Sequence, residues 1–219
     1  MRTFDKSEIR PAYGPSEAAR YVRLPLNKAK RWAELLAVAP SEPVFPISFA
    51  NLLQLHLLKS MRLEHRVPLQ RVRRAIPALR EKYGSEYPLL QTQLLTDGLD
   101  IFLREEPNEI VNLSNAEQRS IREHFDLYLR RIDLSERVAR LYPFVRSEED
   151  VNAPAQVVIR PDIGFGRPTV SGTGIQTQVI AGRFRSGDSM IDLIDEYQLS
   201  QEQLEEVIRW EWQAPADAA

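Results

Sequence analysis

Apolar positions recur at three- and four-residue spacing through most of this chain, the pattern of one-faced helices. Between residues 13 and 37 two such helices stand close together. Ser16 is a candidate N-cap for a short helix from Glu17 to Tyr21, with Ala18, Ala19 and Val22 apolar. Leu24-Pro25 interrupts it. A second helix is expected from Leu26 to Ala37, with Leu26, Ala29, Trp32, Ala33 and Leu36 on one face. Two helices joined by so few residues make a helix-turn-helix candidate.

Residues 40–46, PSEPVFP, read as a loop. A third helix is expected over Ile47–His65, with Phe49, Leu52, Leu53, Leu57, Met61 and Leu63 mostly inward. A fourth spans Pro68–Tyr83, beginning on a proline, which a first turn tolerates. In it Arg71, Arg73, Arg74 and Arg80 surround the apolar Leu69, Val72, Ile76 and Leu79. Asp97-Gly98 between apolar runs predicts a hairpin. A short strand is expected over Glu109–Leu113, a helix over Ala116–Arg131 and a strand over 137–144. Residues 147–156 read as a polar linker, and Val157-Val158-Ile159 as a strand. Three short helices close the chain, at about Thr177–Phe184, Ser189–Glu196 and Ser200–Trp212. Ser200 and Gln203 make a capping box. The sum is a mainly α protein with small β elements, of the α+β class. Its N-terminal part reads as a winged helix-turn-helix and its C-terminal part as a small helical, helix-turn-helix-like domain.

Charge divides this picture. Residues 1–88 carry 16 Lys or Arg against 8 Asp or Glu, and residues 89–219 carry 13 against 23. A basic half favours a polyanion through counterion release, and an acidic half does not. In the first helix pair, Asn27, Lys28, Lys30 and Arg31 precede the first acid, Glu34. A recognition helix presents its N-terminal residues to base edges and places Lys and Arg on phosphates. These four are the candidate DNA contacts. The last helix pair has similar spacing, but its second helix begins SQEQLEE. Glu202, Glu205 and Glu206 would be repelled by phosphates. Its apolar residues, Trp210 and Trp212 among them, suit a core or an interface.

Catalytic chemistry finds little support. Residues 163–175 hold four of the nine glycines. They lack the GK[ST] ending of a phosphate loop, and no lysine follows Lys82, so a turn-rich connection is expected. His56, His65 and His124 are scattered, outside any metal-ligand spacing, and read as helix-surface or half-buried residues. The chain has no cysteine. No catalytic residue, metal or cofactor is expected. The opening MRTFDKSEIRP lacks the apolar core of a signal peptide, and no apolar run is long enough to span a bilayer. A cytoplasmic protein with no membrane partner is the expectation.

YGPSEAARYVRLPLNKAKRW resembles the first two helices of a MerR-like winged helix-turn-helix, with Arg23 where many such turns carry glycine. The stretch from Pro161 to Glu211 resembles a domain of unknown function common among bacterial antitoxins. Gly166, Arg167, Pro168, Val170, Gly172, Thr173 and Ile175 match its motif, while Gly174 stands where many members carry arginine. FANLLQLHLLKSMR, RVRRAIPALREKYG and LLTDGLDIFL are similar to the longer VapB-type antitoxins that join both domains. The resemblance implies a DNA-binding domain over 1–104, a connecting region over 105–150 and an antitoxin-like domain over 151–213, and the residues of the tail, 214–219, read as disordered. It implies an antitoxin that neutralises a PIN-like ribonuclease toxin and binds operator DNA as a homodimer, repressing its own operon. Arg160, Arg167, Arg183 and Arg185 are the basic residues of the acidic half that toxin binding would draw on. The alternative is a dimeric MerR-like regulator with no toxin partner.

Overall fold

The computed structural model describes residues 3–36, 47–64, 67–91, 123, 125–146 and 153–213. The fold is mainly helical, with three two-stranded antiparallel sheets among the described residues. The chain forms two compact units, Met1–Arg130 and Arg131–Ala219. The junctions expected near residues 104 and 150 lie outside the described residues, as do the Asp97-Gly98 hairpin, the Glu109–Leu113 strand, His65, His124 and the tail.

The first unit opens with α1, Lys6–Ile9, closed by a reciprocal cap in which Asp5 accepts from Ser7 N at 3.0 Å and Glu8 accepts from Asp5 N at 2.6 Å. Strand β1, Pro11–Tyr13, pairs antiparallel with β2, Ile47–Ser48, and between the two strands in the chain come α2, Pro15–Tyr21, and α3, Leu26–Leu36. Helix α2 starts on Pro15, two residues before the expected start. Its cap is Gly14, whose N–H is taken by Glu17 at 3.2 Å, so Ser16 lies inside the helix. The third expected helix also begins later: Ile47–Ser48 is strand, and α4 runs Phe49–Lys59 before a π-helical turn, Ser60–Glu64.

Helix α4 is the centre of this unit and is buried on every side. Phe49, Leu52, Leu53, Leu57 and Met61 point inward as expected, but so do Gln54, His56 and Lys59. Buried polar groups need partners. The His56 ring lies 3.0 Å from the Tyr128 carbonyl and 4.8 Å from its ring, and Lys59 sits 5.9 Å over that ring. His56 is therefore a core residue rather than a surface one. Helix α5, Leu69–Tyr83, ends on Gly84 in the left-handed conformation. Arg73 and Arg74 are exposed on it, whereas Arg71 is buried. Arg80 is half-buried and donates to the Leu36 carbonyl at 2.7 Å, capping the end of α3.

In the second unit β3, Ile132–Asp133, pairs with β4, Arg140–Leu141, so the strand expected over 137–144 is only as long as its two-residue partner allows, and β5, Val157–Val158, pairs with β6, Thr169–Val170. A bridge between Leu141 and Ile159 joins the two pairs. Three helices follow: α6, Thr177–Arg185; α7, Met190–Tyr197; and α8, Gln201–Glu211. Each lies within a residue or so of its expected bounds. Helix α8 packs on α6 and β5 and buries Leu204, Val207 and Trp210. Each large apolar side chain so buried stabilises the unit by roughly 1.5–3 kcal/mol. No helix among the described residues is long and apolar enough to cross a membrane.

Candidate functional site

Helix pair α2–α3 is held by a tight turn. Arg23 adopts φ +53°, a left-handed conformation that usually selects glycine. Its N–H donates to the Arg20 carbonyl at 3.1 Å, and Leu24 N donates to the Ala19 carbonyl at 2.8 Å. That pair of bonds is a Schellman ending, completed by the buried side chain of Leu24. The departure from glycine at position 23 therefore leaves the turn intact. It sets the direction in which α3 leaves.

Helix α3 buries Ala29, Trp32, Ala33 and Leu36 against the unit. With that stripe fixed, helical geometry turns the other residues outward. Asn27, Lys28, Lys30 and Arg31 are all exposed. The structure thus brings the four candidate DNA residues onto one exposed surface at the start of α3. The Asn27 amide oxygen accepts from Lys28 N at 2.6 Å, satisfying one first-turn donor. Arg62, from the π-helical turn, lies 5.9 Å over the Trp32 ring and donates to the Val67 carbonyl. Burial first, and the Arg31 charge second, pushes the Arg62 guanidinium below its ordinary value.

Three of the four arginines considered for partner binding are engaged within the fold. Arg160 donates to both Asp162 oxygens, at 2.8 and 3.1 Å, and these bonds hold the Asp162 carboxyl below the usual carboxylate range. Arg183 is engaged by Asp188, Glu196 and Tyr197. Arg185 lies 5.2 Å over the Trp212 ring. Arg167 is exposed. Charge already matched within the fold has less left to offer a partner.

The glycine-rich run is built as turns around a strand. Gly164, Phe165 and Gly166 all take left-handed φ, at +59°, +58° and +77°. A Cβ at Gly164 would meet Thr169 Cγ2 at 2.9 Å, so the close approach as well as the backbone requires glycine. Thr169-Val170 then pairs with β5. Thr173 donates to the Val170 carbonyl at 3.0 Å and accepts from Ile175 N at 3.0 Å, closing the second turn on itself. The run is thus a turn-rich connection, as its glycine density led one to expect. Beside it lies a cleft of about 420 Å³, lined by Arg140, Tyr142, Arg160 and the Ser171–Gly174 turn among others. Arg140 is itself paired with Glu136 and Asp133. Among the described residues no group of three His, Asp or Glu is placed to hold a metal ion.

Three similarities bear on these surfaces. The family model "Protein of unknown function (DUF433)" matches residues 157–210, from β5 into α8. A Mycobacterium tuberculosis (strain ATCC 25618 / H37Rv) protein named "Putative antitoxin VapB45" is 23% identical over 227 residues, covering 90% of this chain and 92% of its own. The crystal structure of Rv2018 from Mycobacterium tuberculosis has a TM-score of 0.68 at 22% identity, covering 94% of this chain and all of that one. The last of these shows a shared fold across nearly the whole length.

Two features escaped the sequence reading. Glu206 is fully buried rather than facing solvent. Arg146 holds its carboxylate at 2.8 Å and Arg209 at 2.6 Å. Arg209 lies three residues on and was available to helix spacing, but Arg146 comes from 60 residues away. The other is Phe165, which is 92% exposed. Its position between two glycines gave no signal of that exposure.

Proposed function

We propose that this chain is the antitoxin of a type II toxin–antitoxin pair. Its basic module, residues 1–104, binds operator DNA through Asn27, Lys28, Lys30 and Arg31 on α3 and represses its own operon. The module over 151–213 binds and neutralises a toxin, read as a PIN-like ribonuclease. The protein acts as a cytoplasmic homodimer and carries out no catalysis. The observation that carries the DNA half is the α3 surface, where Asn27, Lys28, Lys30 and Arg31 all lie exposed on one helix start. Homodimers suit operators with two-fold symmetry. Toxin binding is supported by the name of the VapB45 relative, whose similarity runs through both units.

The test is paired. The purified chain should retard DNA from its own upstream region. Its expression should also restore growth to cells arrested by the small protein encoded beside it. DNA binding without rescue would leave a stand-alone regulator, and the absence of both DNA binding and rescue would overturn the proposal altogether.

A further inference from the structure

Phe165 breaks two folding rules at once. Its φ and ψ, +58° and +30°, are left-handed, a conformation unfavourable for any side chain with a Cβ. Its ring is 92% exposed, so no apolar burial offsets that strain. Folding alone gives no reason for a phenylalanine there, and glycine would fit the backbone better.

The backbone beneath the ring is nevertheless fixed. Gly166 N donates to the Ile163 carbonyl at 3.0 Å, and Arg167 N donates to the Gly164 carbonyl at 3.1 Å. Thr169 packs so closely under Gly164 that no side chain fits. A rigid knuckle that holds one aromatic ring in solvent is preorganised for contact, because little freedom is lost on binding. Aromatic residues, phenylalanine among them, are enriched at protein interfaces relative to the rest of the surface.

Local charge defines the occupant. Residues 163–187 contain Arg167, Arg183 and Arg185 and no acid, within a half of the chain that is otherwise acidic. Arg183 is consumed by Asp188, Glu196 and Tyr197, and Arg185 lies on Trp212. Arg167 stands exposed two residues from the ring. Nucleic acid could stack on such a ring, but the acidic α7 and α8 beyond it disfavour a polyanion.

We propose that Phe165 anchors a protein-docking site whose occupant is the toxin, which receives the ring in an apolar pocket and Arg167 at an acidic rim. This rests on the antitoxin reading above. The test measures binding of the purified full-length chain to the purified product of the adjacent gene. Wild-type is compared with Phe165→Ala, Phe165→Gly and Arg167→Ala, with melting temperatures and light scattering alongside. Both Phe165 variants should weaken binding about thirtyfold or more. Arg167→Ala should weaken it about three- to tenfold. All three should melt within about 3 °C of wild-type.

Unchanged binding by the Phe165 variants would remove the docking site and leave the antitoxin reading standing. No binding by wild-type would remove both. Conversion of a dimer to a monomer by Phe165→Ala, with the neighbour's product still bound, would reassign the knuckle to a second copy and overturn the proposal. Loss of single-stranded DNA binding with protein binding intact would overturn it in favour of nucleic acid. A fall in melting temperature of about 10 °C or more would make Phe165 structural.

Discussion

The molecule uses the same helix-pair device twice and gives it opposite electrostatics. Arg23 ends α2 and Gln198 ends α7, each at φ +53° and each followed by a buried leucine. Leu24 N donates to Ala19, and Leu199 N donates to Ile194. In both pairs a fully or nearly buried tryptophan, Trp32 or Trp210, seats the second helix. Around that shared scaffold, α3 shows Asn27, Lys28, Lys30 and Arg31 to solvent. Helix α8 instead matches its acids to partners inside the unit. Glu206 takes Arg146 and Arg209, Glu205 takes Arg209 and Gln201, and Glu202 accepts from Gln156. A helix pair is thus a way of fixing two helices. Whether it can hold DNA depends on the charges left over once the fold has matched its own.

If the scaffolds are equivalent, Trp32→Ala and Trp210→Ala should cost the most and cost alike. Each should destabilise its own unit by about 3–5 kcal/mol, read from denaturant unfolding. A large difference between them would mean that the two helix pairs are held by different means. The charges should behave unequally. Glu206→Gln removes a buried carboxylate partner of two half-exposed arginines and should cost about 1–2 kcal/mol. Lys30→Gln lies on open surface and should stay within about 0.5 kcal/mol of wild-type. Equal costs would erase the distinction between matched and available charge. The smallest effects belong to the turns. Arg23→Gly and Gln198→Gly relieve a left-handed side chain in each, at the cost of a more flexible unfolded chain, and should change stability by no more than about 1 kcal/mol. Loss of either unit in these variants would mean that the long side chains, not the backbone, hold the turns.

The three C-terminal helices were legible because local signals agree there: Ser189 and Ser200 cap, and apolar residues repeat at helical spacing. The exposed face of α3 was legible for the same reason, since one apolar stripe fixes the other side. Pro11–Tyr13 and Ile47–Ser48 were not, because strands this short carry no period and exist only through a pairing more than 30 residues apart. The burial of Gln54, His56 and Lys59 was hidden too. Helix α4 is surrounded, and its polar residues find partners such as Tyr128, which lies 72 residues from His56. Glu202, Glu205 and Glu206 read as three equivalent acids, yet only Glu206 is buried, because Arg146 reaches it from outside the helix. Nothing in the sequence marks the exposure of Phe165, because an aromatic between two glycines is as compatible with burial as with solvent.

The central claim is that α3 carries phosphate-binding charge and α8 does not. Fluorescence anisotropy on a duplex from the upstream region, titrated from low to high salt, tests it directly. The Lys28→Ala, Lys30→Ala, Arg31→Ala triple variant should bind more weakly at every salt concentration. Its slope of log affinity against log salt should be shallower than wild-type by about 2–3. The paired change Glu202→Ala, Glu205→Ala should leave both affinity and slope within error of wild-type. A triple variant with wild-type affinity and slope would contradict the account and take α3 out of the DNA interface.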